Sequence, residues 1–221
     1  DEPQHITQGE LTLPLLDTMH VPYAIIDKTW EQQLDNAIRY IHEHNGRYAL
    51  VVRKGTFSEP NITTEYLQQP LPLSREEAIT SIIKHTNTND KIVATTGMIS
   101  RELFELREHQ HAGHANDFLT VGGMGYASQI ALTIAQQRPE HRIWCLDGDG
   151  AVLMHMGGMA IIANSEAKNM LHIVLNNGAH DSVGGQPTVG LSIDIAKIAS
   201  AMGYKQTHTV TSKIELTKVL N

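Results

Sequence analysis

The chain has 221 residues, of which 41% are hydrophobic, and carries a formal net charge of −7 at pH 7. This length and apolar content suffice for the core of one large domain, or of one domain and a partial one. The negative charge and the lack of a basic run exclude nucleic acid as an expected partner, and no apolar stretch reaches the length of a membrane span. A single cysteine, Cys145, and the lack of a signal-peptide pattern favour a cytoplasmic location.

The first part of the chain predicts one strand–helix–strand unit. Apolar runs at 21–26 and 48–53 are typical of strands, and residues 30–44 between them carry apolar side chains at a helical spacing. Asn45-Gly46 supplies a helix stop. Such a unit forms a right-handed pair of parallel strands, so we expect residues 1–57 to be a partial α/β domain.

Residues 58–73 predict a linker, because three prolines interrupt the pattern. Ser74 and Glu77 then form a capping-box sequence that predicts a helix start. From there to residue 221, strands and helices alternate, which predicts a doubly wound α/β domain with a mostly parallel sheet and helices on both faces. We expect strands at 91–95, 118–121, 142–146, 170–175 and near 204–207, and helices at 74–86, 100–108, 125–137, 151–164, 193–202 and 213–220.

Two short polar motifs follow neighbouring predicted strands of this domain. Gly148-Asp149-Gly150 closes one apolar run, and Asn176-Asn177 closes the next, with room for one helix and one strand between them. In a parallel sheet both motifs then lie at the carboxyl edge, where ligands bind. The oxygens of Asp149 and Asn177 suit Mg²⁺ holding a diphosphate, and the amides of Gly150 and Ala151, at a helix start, favour phosphate. Taken singly, each motif is also compatible with an ordinary turn.

These motifs and their surroundings resemble the phosphonopyruvate decarboxylases, enzymes that depend on thiamine diphosphate (ThDP). The resembling segments are residues 95–103, 117–125, 148–157 and 176–188, and the resemblance extends over essentially the whole chain. The closely related sulfopyruvate decarboxylases are the second choice. The resemblance implies ThDP and Mg²⁺ as cofactors, decarboxylation of 3-phosphonopyruvate to phosphonoacetaldehyde, and a small 2-oxo acid as the substrate.

The resemblance also assigns further site residues. Besides Asp149 and Asn177, it gives the Ala179 carbonyl as the third metal ligand. It places Thr96 and Gly97 at the diphosphate, and Gly122 and Gly123 under the cofactor, with the Gly122 carbonyl accepting from the aminopyrimidine. Met124 is expected between the two cofactor rings, although ordinary core packing also explains a methionine. Met98 and Ile99 stand where the family often has Lys-Thr, which removes a cation and a hydroxyl near the phosphates.

A polar loop follows the second motif and offers substrate contacts. His180, Asp181, Ser182 and Gln186 could contact a phosphonate, or could instead be a solvated loop with a helix cap at Asp181 or Ser182. The other histidines near motif loops, His111, His114 and His155, carry no assigned role.

One rival interpretation comes from another class of protein. Residues 123–128 approach the dinucleotide fingerprint, and Asp147 ends a strand at a suitable distance, so an NAD-binding domain is an alternative that leaves Asn176-Asn177 unexplained. A non-catalytic ThDP-binding or assembly module is a further alternative.

The resemblance places the ends of the chain inside longer domains. We expect residues 1–57 to be the last part of a pyrimidine-binding domain and 74–221 a diphosphate-binding domain truncated at its C-terminus. The family's activating glutamate lies earlier in the pyrimidine domain and no residue here matches it, so the catalytic group is unknown and the isolated chain is expected to be inactive. Pairing of pyrimidine and diphosphate domains between subunits implies a homo-oligomer.

Overall fold

The chain folds into two compact units, Asp1–Glu65 and Tyr66–Asn221, in a computed structural model that describes residues 4–58 and 71–221. Most of the predicted linker, residues 59–70, lies outside the described residues. Among those described, no helix is both long and apolar enough to cross a lipid bilayer.

The first unit contains the expected strand–helix–strand arrangement. Its elements are α1 Gln4–Thr18, β1 Tyr23–Ile25, α2 Trp30–His44 and β2 Ala49–Val51. The two strands are parallel, with Tyr23 opposite Ala49. Asn45 ends α2 in the left-handed conformation, with φ 46°, as the stop signal predicted. The helix α1 was not predicted from the sequence, since Pro14 lies inside it and breaks the pattern.

The second unit is built around four parallel strands. Its elements in chain order are α3 Arg75–Ile83, β3 Lys91–Ala94, α4 Met98–His109, β4 Asp117–Leu119, α5 Ala127–Gln137, β5 Ile143–Gly148, α6 Asp149–Met154, α7 Gly157–Ala163, β6 Met170–Leu175, β7 Ala179–His180, β8 Gln186–Pro187, α8 Ile195–Met202 and α9 Lys213–Leu220. The strand order is β4-β3-β5-β6, so β4 and β5 lie on opposite sides of β3. The order in which strands are added to the sheet therefore changes direction between β3 and β5. A parallel sheet binds ligands at the carboxyl ends of the strands beside such a reversal.

Helices cover both faces of this sheet, which confirms the doubly wound fold. Successive strand residues alternate between the faces, as the two-residue period of a strand requires. One core cluster joins α3, α4 and α9 to Ile92 and Trp144, and the other joins α5 to Val93 and Cys145. Trp144 is fully buried, and its indole N–H donates to Asp90 Oδ2 at 2.8 Å. The capping box is also formed, because the Glu77 amide donates to Ser74 Oγ and the Ser74 amide donates to Glu77 Oε2.

Two predicted elements are wrong. The helix expected at 151–164 is two shorter helices, α6 and α7, interrupted at His155, which has the non-helical φ of −133°. Gly157 and Gly158 open α7, and two glycines hold a continuous helix poorly. The strand expected near 204–207 is irregular backbone. Its first amide, that of Tyr204, instead donates to the Ala199 carbonyl and closes a glycine cap at Gly203, whose φ is +110°.

Candidate functional site

The two polar motifs meet at the carboxyl edge of the sheet. In the register of β5 and β6, Gly148 lies opposite Leu175, so Asp149 and Asn176 directly follow the ends of two adjacent strands. The expected side-by-side arrangement of the motifs is therefore present. One pocket lies at this edge and is lined by these predicted site residues: Thr96, Met124, Asp149, Gly150, Ala151, Asn177, Ala179, His180, Asp181 and Ser182.

The Asp149 carboxylate is buried beside neutral groups. Asp149 is the first residue of α6 and is 1% exposed. Its Oδ2 accepts a hydrogen bond from the Thr188 hydroxyl. A Cβ atom at Gly190 would overlap this oxygen and lie 2.7 Å from Asn176 Oδ1, so only glycine lets the backbone approach so closely. A buried carboxylate that is held by a neutral hydroxyl is suited to a cation.

The loop after β6 is held by its own asparagines. Asn176 Nδ2 donates to the Gly190 carbonyl at 2.7 Å, and Asn176 Oδ1 accepts from the Gly178 amide at 3.1 Å. Asn177 Oδ1 accepts from the Ala179 amide at 3.1 Å. Gly178 has φ +68°, which a residue with a side chain rarely adopts. The loop therefore presents Asn177 and Ala179 to the pocket in one defined conformation.

The glycine-rich loops on the other strands complete the edge. The Gly122 amide donates to Thr96 Oγ1 at 3.0 Å, which joins the loop after β4 to the loop after β3. A Cβ atom at Gly97 would lie 2.9 Å from Ser182 Oγ. Gly97, Gly122 and Gly123 contribute to this edge without lining the pocket itself.

The start of α6 is in close contact with two predicted site residues. A Cβ atom at Gly150 would lie 2.7 Å from His180 Nδ1 and 3.2 Å from Met124 Cε. Because Gly150 has no side chain, both groups can lie against α6 at the pocket. Met124 therefore faces the site rather than the core clusters of the sheet.

Gln186 lies away from the pocket. It belongs to the short strand β8, is exposed, and is paired with His180 of β7 in antiparallel register. The alternative of a capping role for Asp181 or Ser182 receives no support, because the 3₁₀ turn Asp181–Val183 has no side-chain cap from its preceding residue and the Asp181 carboxylate bonds elsewhere.

Sequence reasoning missed Arg75, which lines the pocket from the first turn of α3. Its Nη1 donates to Asp181 Oδ2 at 2.9 Å, and its Nη2 donates to Glu102 Oε1 at 2.7 Å. Burial opposes the charge on Arg75, but the hydrogen bonds and charges of Glu102 and Asp181 outweigh it, so the pKa of the guanidinium is raised. Arg75 directly follows the capping residue Ser74. A cation at the start of the domain's first helix is the one feature of the sequence that could have predicted its place at the pocket.

A second polar cluster lies beneath the site, inside the fold. Asp147, 1% exposed, accepts from its neighbouring Gly148 amide and faces His172 Nε2 at 3.3 Å, while His172 Nδ1 lies 2.9 Å from the Tyr204 hydroxyl. Burial, with the nearby Cys145 and Asp147, raises the pKa of Tyr204, so its hydroxyl stays protonated and donates to His172. We therefore assign the ring proton of His172 to Nε2, where it is donated to Asp147.

This cluster also removes the dinucleotide alternative. An NAD-binding domain requires the strand-end carboxylate to reach the ribose of the ligand. The Asp147 side chain is instead buried and bonded to His172.

The remaining histidines singled out from the sequence lie apart from this pocket. His114 stacks on Phe104 with 4.2 Å between ring centroids and contacts Glu108. His155 packs against Tyr126 with 4.5 Å between centroids and lines a separate open cavity. His111, beyond α4, adopts a positive φ of 50°.

Comparison with known proteins agrees with this geometry. Residues 95–221 match the family of thiamine pyrophosphate enzymes through the C-terminal TPP binding domain. Phosphonopyruvate decarboxylase of Streptomyces viridochromogenes is 31% identical over 238 residues, which cover 100% of this chain and 58% of that protein. The beta subunit of sulfopyruvate decarboxylase of Methanothermobacter thermautotrophicus is 32% identical over 128 residues, which cover 58% of this chain and 64% of the subunit.

A solved structure shows the same fold. A thiamin diphosphate-dependent enzyme from Mycobacterium smegmatis superposes with a TM-score of 0.56 at 22% identity, over 67% of this chain and 29% of that enzyme. The family match spans more than half of the chain and includes the loops after β3, β4, β5 and β6. The chain thus belongs to the thiamine pyrophosphate enzymes, as a phosphonopyruvate decarboxylase-like member whose cofactor is thiamine diphosphate.

Proposed function

We propose that the protein decarboxylates 3-phosphonopyruvate to phosphonoacetaldehyde with ThDP and Mg²⁺. The observation that carries the proposal is the juxtaposition of Asp149 and Asn177 at the ends of adjacent parallel strands, over one pocket. The choice of substrate is supported by the phosphonopyruvate decarboxylase that aligns with the whole chain. This chain spans 58% of that relative's length, so the activity is proposed for the complete protein.

The donor groups present fit Mg²⁺. An Asp149 oxygen, the Asn177 carboxamide oxygen and the Ala179 carbonyl would supply three hard oxygen ligands, and diphosphate oxygens and water would supply the rest. Mg²⁺ would also offset the charge of the buried Asp149 carboxylate, whose Oδ2 accepts from the Thr188 hydroxyl.

The loops around the metal would hold the two ends of ThDP. We assign the diphosphate to Thr96, Gly97 and the backbone of Gly150 and Ala151. We assign the aminopyrimidine to the Gly122 and Gly123 segment, whose glycines adopt φ of +74° and +59°. These conformations turn the backbone sharply, so its polar groups can approach a flat ligand.

Met124 would shape the bound cofactor. Its Cε methyl group lies against the start of α6 at the pocket, where a flexible apolar side chain can fill the angle between two rings. When bound, ThDP would supply the electron sink that decarboxylation of a 2-oxo acid requires. The chain's own contribution is to orient the cofactor and to exclude water from its reactive end.

The polar loop after β6 would bind the substrate's anionic group. His180 and Ser182 line the pocket and can donate hydrogen bonds to a phosphonate oxygen, and we retain Gln186 as a more distant candidate. Asp181 can only accept when ionised, so its carboxylate suits an anion least.

Sulfopyruvate is the second candidate substrate. The Methanothermobacter beta subunit supports it, because its similarity covers 58% of this chain. Phosphonate and sulfonate are both tetrahedral anions, so the residues of the pocket do not separate them.

We also propose that the protein acts as a homo-oligomer, in which a pyrimidine domain of one subunit covers the diphosphate domain of another. Exposed apolar side chains of the second unit support this, since Val121 is 75% exposed, Tyr126 53% and Met154 57%.

Two measurements test the proposed function. Isothermal titration should show Mg²⁺-dependent ThDP binding, and the complete protein should release CO₂ from 3-phosphonopyruvate faster than from sulfopyruvate. We expect the 221 residues alone to bind cofactor weakly and to show no turnover, because none of them matches the family's activating glutamate. Absence of Mg²⁺-dependent ThDP binding contradicts the proposed function, whereas robust turnover by the 221 residues alone contradicts only the expectation that they lack the catalytic group.

A further inference from the structure

We propose that Glu102, Arg75 and Asp181 act as positioning residues, which fix the orientation of the Asn177 carboxamide for the metal. We call these three residues the Arg75 network. The inference rests on the proposed Mg²⁺–ThDP site and adds to it the means by which one ligand is oriented.

The contacts form a continuous chain from α4 to the metal loop. Arg75 Nε lies 3.0 Å from both oxygens of Glu102, and Arg75 Nη2 donates to Glu102 Oε1 at 2.7 Å. On its other side, Arg75 Nη1 donates to Asp181 Oδ2 at 2.9 Å. The same Asp181 oxygen accepts from Asn177 Nδ2 at 3.0 Å.

The chemistry of Asp181 decides which end of the Asn177 amide faces which way. An ionised carboxylate only accepts hydrogen bonds, so it selects the NH₂ end of a carboxamide and repels the oxygen end. With Nδ2 held by Asp181, the oxygen Oδ1 is directed away from Asp181, to the side where the Ala179 amide bonds it. An oxygen that accepts one amide bond keeps a lone pair for a metal ion. Partners outside the coordination shell commonly orient metal ligands in this way.

Arg75 has the geometry to hold Asp181 rather than the cofactor. A guanidinium presents its donors in a rigid fork. Here the fork is occupied on one side by Glu102 and on the other by Asp181, so its charge lies between two carboxylates. A cation balanced in this way is a poor free anchor for phosphate.

Burial separates the Arg75–Glu102 pair from ordinary surface ion pairs. The side chains of Arg75 and Glu102 are 20% and 17% exposed, whereas that of Asp181 is 41% exposed. The exposed pair Lys197–Asp194, at 86% and 44%, is of the kind that contributes little. Arg75 joins α3, α4 and the turn after β7, which are distant in sequence, so the loop carrying Asn177 is held by the folded helices.

The test measures metal affinity without catalysis. Mn²⁺ would be titrated into the complete protein with ThDP present, and free Mn²⁺ read by electron paramagnetic resonance. We expect Glu102→Gln, Arg75→Lys and Asp181→Asn each to weaken Mn²⁺ binding roughly tenfold, in the range for lost outer-shell partners. Arg75→Lys belongs to this set because an ammonium keeps the charge but cannot hold both carboxylates as the fork does.

A direct phosphate contact by Arg75 predicts a different pattern. Arg75→Lys would then keep its affinity, and Glu102→Gln would leave binding unchanged or tighten it by freeing the guanidinium. Either result overturns the positioning role. Glu102 does not line the pocket, so its variant carries the test even if the Arg75 variants fail to fold.

Two controls separate positioning from general loss of structure. Arg107 makes a comparable fork to Asp117, with bonds of 2.9 and 3.1 Å, away from the pocket. Arg107→Met should lower the melting temperature and leave Mn²⁺ affinity unchanged. In an Asn177→Ala background, Glu102→Gln should have no further effect, since the group it positions is gone; an additive loss contradicts the proposal.

Mn²⁺ binding by the wild-type protein distinguishes failure of the proposed metal site from failure of the proposed positioning role. If that protein binds no Mn²⁺ in the presence of ThDP, the proposed metal site fails, and this inference fails with it. If it binds Mn²⁺ through Asp149 while Glu102→Gln and Asp181→Asn bind equally well, the positioning role alone is wrong.

Discussion

Two aspartates, Asp147 and Asp149, stand two residues apart at the end of β5, and each is 1% exposed. The two carboxylate oxygens of Asp147 are hydrogen-bonded within the protein, one to the Gly148 amide and the other to His172 Nε2. Asp149 instead borders a pocket and is held by the neutral Thr188 hydroxyl.

This difference shows that the surroundings of a buried carboxylate distinguish a structural residue from a ligand-binding one. A buried charge is tolerated when hydrogen bonds or an ion partner compensate its lost hydration. His172 and Tyr204 complete that compensation for Asp147 within the fold. For Asp149 we propose that Mg²⁺ completes it, so the same residue type stabilises the protein at one position and binds a ligand at the next.

The largest expected effect sharpens this comparison at Asp149. Asp149→Asn keeps an acceptor for Thr188 but removes the charge. We expect Mg²⁺-dependent ThDP affinity to fall about a thousandfold, equivalent to ~4 kcal/mol. Calorimetric titration measures the affinity, and urea unfolding checks that the variant is folded. Unchanged affinity would falsify the metal assignment.

The next effect belongs to the internal cluster. His172→Phe leaves the Asp147 carboxylate buried without its ring partner, and should lower the free energy of unfolding by ~3 kcal/mol. Its effect on Mn²⁺ affinity should be far smaller than that of Asp149→Asn. A variant that folds as well as wild type but loses metal binding would reverse the roles that we give to the two aspartates.

A smaller effect is expected where the backbone approaches Asp149. Gly190→Ala places a methyl group against the Asp149 carboxylate and Asn176 Oδ1. The overpacking should cost about 2 kcal/mol of unfolding free energy and displace the carboxylate, so metal affinity should fall as well. Gly185→Ala is the matched control for the methyl group, since no atom lies within 4 Å of a Cβ there, although its φ of +74° adds backbone strain. Equal metal affinity in both variants would remove the proposed contact between Gly190 and the site.

The smallest expected effect concerns the chemical reactivity of the Cys145 thiol. Burial, with the nearby Asp147, raises the pKa of the Cys145 thiol, so its reactive thiolate is suppressed at neutral pH. We expect iodoacetamide at pH 8 to leave Cys145 unmodified in the folded protein and to alkylate it in urea, as read by intact mass. Rapid alkylation of the folded chain would show that this cluster is open.

Much of the framework was predictable from local sequence. The apolar runs placed β3, β5 and β6, and their spacing placed Asp149 and Asn177 at one edge, because parallel strands with a helical crossover leave few alternatives. The Ser74–Glu77 capping box was equally readable, since its residues satisfy each other within one turn.

What could not be predicted depends on contacts between distant residues. Arg75 meets Asp181 only because α3 and the turn after β7 pack at the same edge, and no local pattern encodes that distance. The break at His155 and the irregular backbone after Gly203 were missed for a similar reason. Their sequences suit a helix and a strand, but glycines at 157, 158 and 203 favoured other local conformations.

The most direct test is the position of the metal itself. Crystals grown with ThDP and Mn²⁺ would be measured for anomalous scattering near the manganese edge. We predict one strong peak, coordinated by an Asp149 oxygen, Asn177 Oδ1 and the Ala179 carbonyl, with Asp147 outside the coordination shell. Cys145, Asp147 and His172 offer potential ligand atoms within 4.8 Å of one another, so they are the rival location. A peak at that cluster, or bound ThDP with no metal at Asp149, would contradict the account.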